Sequence, residues 1–291
     1  MFASEIIKKV RQIEIRSRIL SNQIFAGEYH TAFKGKGMSF AEVREYMVGD
    51  DIRNIDWNVT ARFNHPYIKV YEEERELTMM LIIDVSASLS FGSTNLFKKD
   101  LITEIAAVLA FSAIKNNDKV GVILFSDKIE KFIPPKKGKT HILRIIKELL
   151  DFEPTNKKTN ITEALKYFNN VIRKKSISFI LSDFMDDNFE NALKIANHKH
   201  DLILIKTIDP LEISLPKGGL LYINDLENDG KLWIDTSDAS FITRYNEIAN
   251  KRSFKQNELF NKHGIDNLTI NTTEDYIKPL QKLFKKRGSR I

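Results

Sequence analysis

Cysteine is absent from this chain. Disulfide bridges, thiol catalysis and cysteine-held zinc are thereby excluded, and a cytoplasmic location is the simplest reading. Long hydrophobic runs are missing too. The longest, Met79–Val85, already contains Asp84 and falls far short of the ~20 apolar residues that span a membrane, so no integral membrane segment is expected. The N-terminus, Met-Phe-Ala-Ser-Glu-Ile-Ile-Lys-Lys, alternates charged and apolar residues like an amphipathic helix and unlike a signal peptide. No Gly-x4-Gly-Lys-Ser/Thr phosphate loop, internal repeat or low-complexity segment is present.

What remains is a chain of 291 residues, 42% hydrophobic and 10% aromatic, enough for a large single domain or two small ones. The net charge is +6, but five of those charges come from Lys282, Lys285, Lys286, Arg287 and Arg290 in residues 280–291, which contain no acid. The body therefore carries about +1, which argues against a nucleic-acid-binding protein. The basic end reads either as a solvated, frayed terminus or as a contact for phosphate, anionic lipid or an acidic partner.

Residues 3–24 read as a helix, with Ile6, Ile7, Val10, Ile13, Leu20 and Ile24 roughly on one face. Gly35 and Gly37 within 28–48 suggest a hairpin. From residue 78 strands and helices alternate. Strands are expected at 78–85, 119–125, 129–133, 177–182, 201–208, near 220–224 and 231–235, and at 267–271. Helices are expected at 95–115, 139–150, 160–173, 188–197, 239–262 and 275–286. Near-continuous apolar strands separated by helices imply an α/β fold, a doubly wound and mostly parallel sheet covered on both faces. Residues 1–76 would be an N-terminal accessory segment and 77–291 the α/β domain.

The first strand ends Ile82-Ile83-Asp84-Val85-Ser86-Ala87-Ser88. On an extended segment alternate residues point the same way, so one carboxylate and two hydroxyls would leave the strand end together. That suits a hard divalent cation such as Mg2+, with Mn2+ or Ca2+ as alternatives. Asp183 ends a later strand, and Thr159 lies just before a helix that it could cap. Open α/β sheets bind ligands at strand carboxyl ends where strand order reverses. Alternatively, Asp84 caps the strand end and the serines bond local backbone.

Asp84-x-Ser86-x-Ser88, Thr159-Asn160-Ile161 followed by Ala164-Leu165, and Ser182-Asp183 resemble the metal-ion-dependent adhesion site of von Willebrand factor A domains. Further segments are similar to the signature of the bacterial family called domain of unknown function fifty-eight. They are Phe40-x3-Arg44-Glu45-Tyr46-x2-Gly49-Asp50-Asp51-x-Arg53-x-Ile55-Asp56-Trp57-x2-Thr60-Ala61-Arg62, Pro134-Pro135-Lys136-Lys137-Gly138, Ser182-Asp183-Phe184 and Asp209-Pro210-x-Glu212. The resemblance covers nearly the whole chain and implies a von Willebrand factor A-like, Rossmann-type domain. It also implies roles. Ser86, Ser88 and Thr159 would bind Mg2+ through hydroxyls, and Asp84 and Asp183 directly or through water. A partner's Asp or Glu would complete the site, and the expected partner is a MoxR-type AAA+ ATPase in a chaperone-like system. Many family members are longer and carry upstream membrane helices.

Arg44, Asp50, Asp51, Arg53, Asp56, Trp57 and Arg62 form a dense cluster. It reads as an internal ion-pair network, as a partner surface anchored by Trp and Arg, or as a second catalytic centre. Histidines are scattered, and only His198 and His200 lie close together. Three functions follow for testing. The first is a non-enzymatic, metal-dependent protein-binding module. The second is a Mg2+-dependent phosphohydrolase using Asp84 as nucleophile, although Ser86 stands where one large class of such enzymes has its acid/base Asp. The third is nucleic-acid binding.

Overall fold

The apolar runs assemble into one central sheet. In a computed structural model, which describes residues 3–25, 38–73, 77–93, 97–224 and 230–289, the chain divides into two compact units. One holds the N-terminal helix and everything from Thr78 onward, and the other is Lys34–Leu77.

The larger unit contains a six-stranded sheet in the order β10-β7-β6-β3-β4-β5. Its strands are β3 (Thr78–Asp84), β4 (Lys119–Phe125), β5 (Ile129–Lys136), β6 (Ile177–Ser182), β7 (Asp201–Ile208) and β10 (Asp266–Asn271). All neighbours are parallel except β4 and β5, which form an antiparallel edge. β3 and β6 are buried along nearly their whole lengths, as expected for strands covered on both faces. β5 runs on through Pro134-Pro135 to Lys136, past the end expected from the prolines, because an edge strand tolerates residues without an N–H. Gly121 in β4 faces that crossing closely: a Cβ there would lie 3.0 Å from Pro135 N and 2.7 Å from Met80 Sδ.

The covering helices are α3 (Lys98–Lys115), α4 (Lys139–Asp151), α5 (Ile161–Val171), α6 (Glu190–Lys199), α8 (Ala239–Lys262) and α9 (Ile277–Gly288). On one face Met80, Ile82 and Ile180 pack with Leu165, Phe168 and Leu193. A short helix, α7 (Pro210–Ile213), follows β7. It forms because Asp209 and Glu212 make a reciprocal capping box, with Pro210 in the first turn. β8 (Leu220–Asn224) and β9 (Lys231–Asp235) pair as a separate antiparallel ribbon. The basic C-terminus is not a frayed tail through Gly288. Leu280, Leu283 and Phe284 of α9 are buried, and Arg287 bonds Asp266 and Asp201; Arg290 lies outside the described residues.

The N-terminal helix α1 (Ala3–Phe25) groups with this unit and not with an accessory segment. Ile13, Ser17 and Leu20 are buried, while Lys9, Arg16 and Glu14 pair with Asp100, Glu104 and Lys139. Ile13 and Leu20 of its amphipathic stripe are thus buried where α1 packs on α3 and α4.

In the smaller unit β1 (Met38–Glu45) pairs antiparallel with β2 (Tyr67–Glu73). Gly35 and Gly37, the turn of the hairpin expected within 28–48, lie outside the described residues. The connection between the two strands holds a 3-10 turn at Ile52–Asn54 and helix α2 (Trp57–Phe63). Asp56 starts α2 by accepting from Asn58 N and Val59 N at 2.9 and 3.2 Å.

Candidate metal centre

Strand order reverses at β3: the chain leaves β3 for β4 on one side and later returns to β6 on the other. Asp84 ends β3 and Asp183 follows β6, so both carboxylates stand at the switch point, where ligands bind in open α/β sheets.

Asp84 is buried and both its oxygens are used. Oδ1 accepts from Ser86 N at 2.9 Å and Oδ2 from Ser182 Oγ at 2.6 Å. Burial pushes its pKa up to about 7, and the charge of Asp183 adds to the rise, while the Ser182 and Ser86 hydrogen bonds oppose it. Ser86 and Ser88 come together with Oγ atoms 3.0 Å apart. They do so through a 3-10 turn, Ala87–Ser90, and not through the extended alternation expected from their spacing.

The Thr159 loop is drawn to this turn by backbone bonds. Ala87 N donates to Lys157 O at 3.0 Å, and Asn160 N donates to Ser126 O at 2.8 Å. Ser126 Oγ and Asn156 N donate to Glu130, holding the same loop against the β4 end. Thr159 is not the cap of α5. Asn160 is, accepting from Glu163 N at 2.9 Å, and Asp186 supplies a second cap by accepting from Ile161 N at 2.7 Å. Thr159 Oγ1 is left buried without a hydrogen-bond partner. Such an orphan is costly, and an oxygen that would complete its bonding through a cation is one resolution of it.

Asp183 is placed by an unusual backbone. Phe184 adopts φ 57°, a left-handed conformation that is strained for a bulky residue. It is held by Phe184 N donating to Ser182 Oγ, by Gln256 Nε2 donating to Phe184 O, and by ring contacts with Phe189 and Phe260. Asp183 Oδ1 accepts from Met185 N, while Oδ2 takes a hydrogen bond from Lys98 Nζ at 2.8 Å. Lys98 also donates to Glu212 at 2.6 Å and is 0% exposed. Burial opposes its charge, but Asp183 and Glu212 outweigh burial and raise its pKa above the ordinary lysine value. Nearby, Asp209 accepts from Ser93 N and Ser93 Oγ, so the Asp209-Pro210-x-Glu212 segment clamps the chain between the serine turn and α3.

Sequence reasoning missed Lys98, which reads as an ordinary solvated cation in a first helical turn. The only signal pointing toward it was the Asp209-Pro210-x-Glu212 segment, whose second acid needed a partner.

The donor set fits a hard divalent ion in part. Three hydroxyls, one of them orphaned, and the Asp84 carboxylate match oxygen-ligand chemistry, whereas Asp183 already carries a fixed ammonium. Among the described residues no group of three or more His, Asp or Glu side chains gathers to hold a metal.

The Arg44–Trp57 segment belongs to the smaller unit. Arg44 grips Asp50 with two bonds of 2.8 Å, and Asp51 caps the 3-10 turn while pairing with Arg53. Asp56 caps α2 and lies 3.5 Å from Lys69. The acids thus serve local structure, while Trp57 is 70% exposed and Arg62, later in α2, is exposed too. His198 and His200 diverge: His198 is exposed, and His200 is buried against Ser176 and the Phe168 ring.

The family described as "Protein of unknown function DUF58" matches residues 42–255. A relative, "Uncharacterized protein Rv1480" of Mycobacterium tuberculosis, is 27% identical over 222 residues, covering 75% of this chain and 70% of that protein. Among solved structures, the conserved hypothetical protein BatB of Bacteroides thetaiotaomicron aligns with a TM-score of 0.48 at 13% identity, over 73% of this chain and 99% of that one. The SpRpn10 VWA domain aligns with a TM-score of 0.38 at 12% identity, over 72% and 95%.

Proposed function

The chain belongs to the DUF58 family, and on that premise we propose that it is a non-enzymatic protein-binding module whose Asp84 centre holds Mg2+. The observation that carries this reading is the buried, partnerless Thr159 Oγ1 in the loop bonded to the Ser86–Ser88 turn. Ser86, Ser88 and Thr159 would hold the ion through their hydroxyls and Asp84 through its carboxylate. Asp183, tied to Lys98, would act from a distance or through water. When bound, Mg2+ would offer a coordination position to an Asp or Glu of a protein partner. Metal and partner would then raise each other's affinity.

Asp84 is a poor candidate for a phosphohydrolase nucleophile, because Ser86 stands two residues on, where one large class of such enzymes has its acid/base Asp. We assign the partner, as the sequence resemblance implies, to a MoxR-type AAA+ ATPase, and the cytoplasm as the place of action is part of the same proposal. No helix among the described residues is long and apolar enough to cross a membrane.

Calorimetric titration with Mg2+ tests the centre. Wild type is expected to bind and Ser86→Ala to lose binding at least about tenfold, since a lost ligand forfeits a strong oxygen contact. Equal heats for both proteins would remove the metal from the reading. Association with a purified MoxR-type ATPase, with and without Mg2+ and nucleotide, tests the partner.

A further inference from the structure

One face of α8 carries Ile248, Lys251, Arg252, Lys255 and Leu259 at helical spacing. These residues line a groove of about 710 Å³ whose opposite wall is the loop 184–191. The groove is held open by fixed contacts. Gln256 donates to Phe184 O at 2.7 Å and accepts from Lys206, tying the α8 wall to the loop and to β7.

Its charges are unbalanced. Among the described residues no carboxylate pairs with Lys251, Arg252 or Lys255, and Arg252 reaches only Met185 Sδ. Of the acids across the groove, Asp186 caps α5 and Glu190 is held by Lys262 and His263. Asp187 alone has its carboxylate unengaged. The floor is apolar: Met185 and Ile248 are 37% and 56% exposed. A second cavity of about 240 Å³ shares Met185, Ile248 and Arg252 with the groove and continues to Asp183 and Glu212.

We infer that this groove is the docking channel for an acidic, apolar-interleaved segment of the protein partner, leading its terminal carboxylate toward the Asp84 centre. The inference rests on the metal-dependent binding reading above and names the partner chemistry. Complementary charge fixes the occupant: three unpaired cations facing one free acid favour carboxylates, and a low-charge floor accepts apolar side chains between them.

The test is fluorescence anisotropy with a fluorescein-labelled peptide of alternating Glu and Leu, titrated with the full chain in Mg2+ and in EDTA. Its Gln-Leu counterpart and a single-stranded oligonucleotide serve as comparison probes. The groove variant is Lys251→Glu, Arg252→Glu, Lys255→Glu. The control carries the same change in net charge, Lys278→Glu, Lys282→Glu, Lys286→Glu, at exposed positions of the basic final helix.

The groove variant is expected to weaken Glu-Leu binding at least about tenfold in both buffers, as charge reversal at a complementary surface does, and the control less than about twofold. Equal losses in the two variants overturn the inference, since binding would then follow net charge. So does equal binding of the Gln-Leu peptide, tighter binding of the oligonucleotide, or no binding by wild type at millimolar peptide. The two readings fail separately. If Mg2+ strengthens binding while the groove variant matches wild type within each buffer, the centre stands and the channel falls. If the groove variant is weak while Mg2+ and Asp84→Ala change nothing, the channel stands and the centre falls.

Discussion

Replacing Lys98 by Met tests the architecture behind Asp183. Lys98 is 0% exposed, Asp183 1% and Glu212 17% by side chain, and the ammonium lies 2.8 and 2.6 Å from the two carboxylates. Methionine matches the stem in length and apolar character, so little cavity is left. The cost is therefore the stranding of two carboxylates, one fully buried. Breaking a buried pair by removing one partner costs about 3–5 kcal/mol. For a domain of this size each kcal/mol moves the melting temperature by about 2–4 °C, so a fall of roughly 10 °C is expected in calorimetry. The double variant Lys98→Met, Asp183→Asn removes the stranded charge and should recover part of the loss, with a coupling above about 1.5 kcal/mol. A fall of under about 2 °C in the single variant, or strict additivity in the cycle, would refute the reasoning.

Three further outcomes are expected. His200 is buried, and burial lowers its pKa from 6.5 to about 4, with Lys199 adding to the fall. The native state thus keeps it neutral while the unfolded chain takes up a proton. Its contribution is full above about pH 6.5 and is lost as pH falls toward 4, by up to about 3 kcal/mol. Urea denaturation of wild type and His200→Gln across that window checks this. Thr159→Val removes an orphaned hydroxyl at constant shape. It should leave the melting temperature in EDTA unchanged or raised and weaken Mg2+ binding, both read by thermal shift with a metal titration. Gly121→Ala presses a methyl on Pro135 N and Met80 and should destabilise by about 1–3 kcal/mol as overpacking does, measured by urea midpoint.

The sequence by itself determined the periodic elements, because burial on both faces of a parallel sheet writes unbroken apolar runs such as Met79–Ile83. It also put Asp84 and Asp183 at strand carboxyl ends, whereas their meeting at the switch point follows from the order in which the strands pair. It marked local chemistry that acts within a few residues: the Asn160 and Asp56 caps became visible only as nearby polar positions, but their partners are two or three residues away. The tertiary structure decided what depends on distant pairs. Asp183 is 85 residues from Lys98 in sequence, and Glu212 is 114 residues from it. No local pattern distinguishes that lysine from its neighbour Lys99, which is half-buried and donates to Phe152 O instead. Likewise α1 reads as a separable amphipathic helix until Asp100, Glu104 and Lys139 claim its charges. The groove beside Asp183 exists only because α8 packs against a loop that lies some sixty residues earlier. Hydrophobic periodicity is a one-dimensional record of burial, whereas charge pairing and concavity arise only when separate segments meet.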